Sequence, residues 1–133
     1  MGTRGAVHHV ELWVSDLRPA AATWGWLLAA LGYQLEKTWD AGRSWRLGET
    51  YIVLERGPDV LPGAHERCRP GLNHLAFHAG AESEVEDLAR EALGHGWTVM
   101  FADRHPHAGG PDHYAAYLEN DDGFEVELVA SPT

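Results

Sequence analysis

The sequence predicts an α+β fold built from two βαβββ modules, whose curved mixed sheets enclose one cleft. Three observations carry this. A histidine opens an alternating strand at His9 and again at His74. A helical stretch follows each and ends at a glycine, Gly32 and Gly96, 23 and 22 residues after those histidines. A glutamate stands in the last strand of each copy, Glu55 and Glu127. Recurrence of one order of elements is the mark of a duplicated unit.

In the first copy, Val10, Leu12 and Val14 alternate with His9, Glu11 and Trp13, which predicts a strand over Val7–Val14. Leu17, Ala21, Trp24, Leu27, Leu28 and Leu31 recur every three or four residues, the stripe of an amphipathic helix. Pro19 suits its first turn and Gly32 its end. Tyr33–Trp39, Ser44–Leu47 and Thr50–Glu55 read as strands, the last two joined at Gly48. Gly57 to Pro70 carries Gly-Pro, Pro-Gly and a further proline, the composition of a connector.

The second copy repeats the order. Leu72–His78 reads as a strand, and Ser83 with Glu86 as a capping box. Val85, Leu88, Ala89, Ala92 and Leu93 give the helical stripe, and Trp97–Ala102 the next strand. A loop rich in Gly, Pro and His spans Asp103–Pro111, before strands at His113–Glu119 and Phe124–Val129 with a tight turn at Asn120–Gly123. Module one is thus 5–57, the connector 58–70 and module two 71–130, within a single domain of 133 residues. A half of about 60 residues is marginal alone.

Composition narrows the function. Twenty acidic against 10 basic residues give a net charge of −10, which repels phosphate backbones and argues against nucleic acid. No apolar run is long enough to span a membrane, and the first ten residues lack a secretory pattern. The lone Cys68 cannot form an internal disulfide, so cytoplasmic residence is the expectation. Six tryptophans are many for this length. They serve core and dimer packing or line a flat ligand pocket. Trp24, Trp26 and Trp45 exceed what so small a core should hold, which predicts a homodimer.

A pseudo-twofold pair sets matched positions facing each other. His9, Glu55, His74 and Glu127 would then offer two imidazoles and two carboxylates to a divalent transition metal. A lone strand histidine is more often a hydrogen-bonded polar residue than a ligand; four matched positions are harder to set aside. Alternation lets only one of His8 and His9 point inward, and the repeat favours His9. Glu125 shares a face with Glu127 and stands as its alternative.

The segment from His9 to Leu17, containing Val14-Ser15-Asp16-Leu17, resembles the opening strand of the vicinal oxygen chelate superfamily. That superfamily takes in glyoxalases, bleomycin resistance proteins and dioxygenases. Asn73-His74-Leu75-Ala76-Phe77 is similar to the start of its second module. Asn120-Asp121-Asp122-Gly123 followed by Glu127-Leu128 resembles its closing motif, with Asp121 in place of the usual proline. The resemblance implies paired βαβββ modules and a small-molecule substrate. A glyoxalase I pattern implies a divalent nickel, zinc, manganese or iron ion on His9, Glu55, His74 and Glu127, with a glutamate also acting as base. A fosfomycin-type pattern implies His9, His74 and Glu127 alone. Where glyoxalase I commonly carries an arginine for glutathione, this chain has Trp13.

Two classes of function follow. One is a metal-dependent lyase, isomerase or dioxygenase, with Glu127, His113 and Tyr114 in catalysis and Trp13, His113, Tyr114 and Arg104 against substrate. The other is a metal-free protein that sequesters a planar or cationic ligand.

Overall fold

The computed structural model describes residues 2–132. The chain divides into two units, the first ending at Ala64 and the second starting at His65.

The first unit contains β1 (His9–Trp13), α1 (Leu17–Ala30), β2 (Gln34–Trp39), β3 (Gly42–Leu47) and β4 (Thr50–Glu55). They form one sheet in the order β1-β4-β3-β2, with β1 and β4 parallel and the other pairs antiparallel. Asp16 caps α1, its Oδ1 accepting from the Arg18 backbone N–H at 3.3 Å. The buried stripe is Ala20, Trp24, Leu27 and Leu28. Gly25 lets α1 close on the sheet: a Cβ there would stand 3.1 Å from the Trp45 ring on β3. Trp24 and Trp45 are therefore core residues, 0% and 5% exposed. Two of the three tryptophans expected to demand a second copy are thus covered within this unit, and Trp26 is half-buried.

The second unit contains β5 (Leu75–His78), α2 (Glu82–Ala92), a 3₁₀ turn (Leu93–His95), β6 (Trp97–Met100), β7 (Ala115–Asn120) and β8 (Glu125–Val129). Its sheet order, β5-β8-β7-β6, repeats that of the first, again with one parallel pair. Val126 and Leu128 are fully buried, as are Val85 and Ala92 on α2. The two α+β units, each a mixed four-stranded sheet with one helix, are the predicted architecture.

Several boundaries differ from expectation. The strand before α2 begins at Leu75, not Leu72. β6 stops at Met100 because Phe101 adopts φ 54, off the extended backbone. Only half of a capping box forms, two residues earlier than expected: Glu84, not Glu86, reaches back to the N–H of Ala81 at 3.0 Å, and Ala81 has no polar side chain to return the bond. The supposed connector is also not passive throughout. His65 donates its backbone N–H to Asp122 at 2.8 Å and stacks on Phe124 with centroids 4.3 Å apart, so the second unit starts before Pro70.

Candidate functional site

Position on a central strand builds the site. Residues of β8 alternate faces, so Val126 and Leu128 enter the core while Glu125 and Glu127 share the other face. Glu127 is 6% exposed and lies across from Ala76 and Tyr117 in the neighbouring strands. A carboxylate this deep needs partners. It has three. His74 Nε2 lies 3.0 Å from Oε1, His113 Nε2 donates to Oε2, and the Tyr117 hydroxyl also bonds it. Burial, then the Glu127 charge and hydrogen bond, push the Tyr117 phenol up to about 12. Gly109 makes room for this group: a Cβ there would come within 2.5 Å of the Tyr117 hydroxyl and 2.7 Å of the His113 ring.

The proton arrangement of His74 can be read from its neighbours. The Asn73 amide nitrogen donates to the Arg67 carbonyl at 3.1 Å, so Oδ1 is the end that faces His74. His74 Nδ1 lies 2.6 Å from that oxygen and must carry a hydrogen. A neutral imidazole has one N–H, so Nε2 presents a lone pair to Glu127 Oε1, itself an acceptor. Two acceptors at 3.0 Å require something positive between them. Either His74 takes a second proton or a cation binds both.

The pair suits a divalent ion. Bonds of about 2.0–2.2 Å at right angles would set two ligand atoms roughly 3 Å apart. Asn73 supplies the second hydrogen bond that metal-bound histidines almost always make. Among the described residues, however, no group of three or more His, Cys, Asp or Glu converges on one point. His113 is turned to the opposite oxygen of the carboxylate.

The first unit offers a different arrangement. His9 stacks on Tyr51 at 4.7 Å, and the Arg46 guanidinium lies over that Tyr51 ring at 4.8 Å. His8 was expected to point away from His9. It precedes β1, escapes the alternation, and places its Nδ1 2.9 Å from that of His9. Trp13 is 47% exposed on the face of His9 and Glu11, and donates Nε1–H to Glu11 at 3.1 Å.

Strand register separates Glu55 from His9. His9 pairs with Tyr51, whereas Glu55 pairs with Trp13, four residues or about 13 Å farther along the strand. The backbone shows the same offset. Val14, five residues after His9, donates to the Glu55 carbonyl, and Ala79, five after His74, donates to that of Val129. Glu55 thus matches Val129. The position matching Glu127 is Val53, which pairs with Glu11 as Glu127 pairs with Ala76. The expected match of Glu55 with Glu127 does not hold, because two glutamates in comparable strands were aligned without their partners.

The other expected residues divide. His113 joins Glu127. Tyr114, next in sequence, faces elsewhere and donates to Glu86 on α2, which also holds His105 at 2.8 Å. Arg104 lies over the Phe101 ring at 4.9 Å. Glu125 is 4% exposed; burial raises its carboxyl pKa, and Arg67 Nη1 stands 3.4 Å away. The sequence reading missed Asn73, Tyr117 and Gly109. Only Asn73, inside the quoted second-module motif, left a signal.

The Glu86 hydrogen bond, more than burial, pushes the Tyr114 phenol up to about 12. A raised native pKa binds its proton longer than the unfolded chain does, so this bond supports the fold up to about pH 10 and the support disappears as pH climbs towards about 12. Spectrophotometric titration of phenolate should show this tyrosine returning to the ordinary range in Glu86→Gln; an unchanged curve would contradict the assignment.

The comparisons agree with this architecture. Residues 8–117 match the family model of the Glyoxalase/Bleomycin resistance protein/Dioxygenase superfamily. An uncharacterized protein of Bacillus subtilis (strain 168), YqjT, is 43% identical over 93% of this chain and 98% of its own. A Bacillus halodurans crystal structure, described provisionally as a glyoxalase, is 41% identical with TM-score 0.90, covering 96% of this chain and 97% of that one. The fosfomycin resistance protein FosX of Listeria monocytogenes shares the fold at 19% identity, TM-score 0.63, over 98% and 94% of the two chains. With duplicated βαβββ units, a glutamate on the last strand and most of the sequence matched, the chain belongs to the Glyoxalase/Bleomycin resistance protein/Dioxygenase superfamily.

Proposed function

We propose that this protein is a divalent-metal-dependent enzyme acting on a small oxygenated molecule, with His74 and Glu127 among the ligands. The observation that supports it most is His74 Nε2 lying 3.0 Å from a carboxylate oxygen while its Nδ1 is engaged by Asn73, an arrangement a cation resolves. The family pattern, carried onto this sequence, adds His9 as a further ligand. Val53 stands at the register position of a fourth, carboxylate ligand, so the three-ligand, fosfomycin-type pattern is the better match. A bound metal would hold substrate oxygens and stabilise negative charge developing on them. His113 holds the other oxygen of the Glu127 carboxylate and, together with the Tyr117 hydroxyl, keeps it oriented. The single cysteine, Cys68, is exposed and free, in keeping with the cytoplasm. Pairing of copies is family usage and is read by sedimentation.

A second reading has its own support. With His74 protonated the same geometry is a simple ion pair, and no cluster of three or more donors is present among the described residues. The protein would then be a metal-free sequestering protein. Calorimetric titration of nickel, zinc, manganese and iron(II) separates the two. At least one metal should bind the wild type, His74→Ala should lose more than about 100-fold in affinity, and His78→Ala on the same strand should change little. Failure of all four metals to bind the wild type would overturn the metal reading and favour sequestration.

A further inference from the structure

In the second unit the residue before the histidine fixes it: Asn73 Oδ1 takes the Nδ1 hydrogen of His74 at 2.6 Å. The first unit repeats this with a different residue. His8 precedes His9 as Asn73 precedes His74, and its Nδ1 lies 2.9 Å from the Nδ1 of His9. The backbone makes the positions equivalent. Val14 and Ala79, each five residues after its histidine, donate to the matched carbonyls of Glu55 and Val129. Tyr51, across from His9 in β4, lies parallel to the His9 ring within 2° at 4.7 Å. His8 meets the same tyrosine ring at 77°, with centroids 5.4 Å apart. Tyr51 thus sets the plane of the His9 ring, and His8 sets which edge of that ring carries Nδ1 towards it. Both histidines are exposed, so water could serve either nitrogen, and the fold has no need of this bond.

Between two neutral imidazoles, nitrogens at 2.9 Å share one hydrogen. Placed on His8, that hydrogen would leave His9 with an Nε2–H and no lone pair for a cation. Placed on His9, it leaves His9 Nε2 with a lone pair. We propose that His8 is a positioning residue, which accepts the Nδ1–H of His9 and so keeps the His9 Nε2 lone pair ready for the metal. The inference rests on the metal reading above, in which His9 is a ligand. Metal-bound histidines almost always give their other N–H to a fixed acceptor, and the loss of that acceptor typically weakens metal binding 10- to 100-fold. The amide oxygen of Asn73 fills that role for His74, and the imidazole of His8 fills it for His9.

Two variants separate the hydrogen bond from packing and from direct ligation. His8→Phe keeps a ring against Tyr51 and removes the acceptor; His8→Asn removes the ring and restores the acceptor that the second unit uses. Calorimetric titration follows the metal that wild type binds most tightly among nickel, zinc, manganese and iron(II). Affinity should fall roughly tenfold in His8→Phe, the lower end of the range because the pair is exposed, and stay within about threefold in His8→Asn. Long-range proton–nitrogen NMR spectra of the metal-free protein at about pH 8, where imidazoles are neutral, give the second readout. The His9 signals are assigned by their loss in His9→Gln. His9 should carry its hydrogen on Nδ1 in wild type and His8→Asn, and shift towards the Nε2–H form in His8→Phe. Unchanged affinity in His8→Phe overturns the proposal. An equal loss in both variants also overturns it, and makes His8 a ligand itself. An Nε2–H form of His9 in wild type does the same to the proton assignment and to the proposal with it. If no metal binds wild type, the metal reading has failed and the spectra alone decide for His8. Nδ1–H kept in His8→Asn and lost in His8→Phe then supports its hold on His9, and any other pattern refutes it.

Discussion

Gly123→Ala should be the most damaging single substitution outside the core, lowering stability by roughly 3–5 kcal/mol. Gly123 has φ +86, where a side chain is strained. A Cβ there would also fall 2.1 Å from the His65 carbonyl oxygen and 3.2 Å from its carbon. Both are backbone atoms, so no rotamer change relieves the clash. The turn and the His65 segment would have to part, giving up the His65–Asp122 hydrogen bond and the His65–Phe124 stack. The turn cannot easily yield, because Asn120 Oδ1 holds the N–H groups of Asp122 and Phe124 at 3.1 and 3.0 Å. Thermal unfolding should show a fall of roughly 10–20 °C. Gly63→Ala is the control: φ is +112 but nothing lies within 4 Å, so the conformational term of about 1–2 kcal/mol acts alone. Equal losses in the two variants would refute the steric argument.

Glu127→Gln should abolish metal binding while leaving the fold intact. The side chains have nearly the same shape, and the introduced amide can donate to the His74 Nε2 lone pair, removing the need for a cation. Affinity for the preferred metal should fall by more than about 100-fold, beyond the usual loss from outer-shell changes. The stabilisation that metal gives wild type, about 2.7 kcal/mol at a hundredfold excess over Kd, should vanish with it. Glu55→Gln should alter affinity by no more than about threefold by the same assay, because its register removes it from His9. A large loss on Glu55→Gln with Glu127→Gln unaffected would reverse the assignment.

The contrast between these glutamates shows what the sequence made legible. Helix stripes, terminal glycines and the alternation in β1 are local patterns, and each predicted its element. Register is not local. The pairing of β1 with β4 joins residues more than 40 positions apart, and sequence spacing alone could not distinguish Val53 from Glu55 as the match of Glu127. The same limit applied to Tyr114. Alternation says it faces away from His113, but only the packing of α2 shows that Glu86 receives it. His8 failed for another reason: alternation was applied one residue before the strand begins. The orientation of His74 depends on an amide whose own orientation is fixed by a carbonyl six residues earlier, a chain that no residue pattern encodes.

That carbonyl belongs to Arg67, in a stretch whose composition suggests a dispensable link. Engineers who move chain termini or insert reporter domains choose such Gly- and Pro-rich stretches. Here the tolerance should change abruptly within a few residues. Between Leu61 and Gly63, past the Gly57 and Val60 carbonyls that Arg56 holds, a new terminus or insertion touches little. Between His65 and Asn73 it would release the Arg67 carbonyl from Asn73, let the amide turn, and free His74 to exchange which ring nitrogen carries hydrogen. Such a permutant would fold yet lose its affinity for metal, with every proposed ligand still in its sequence.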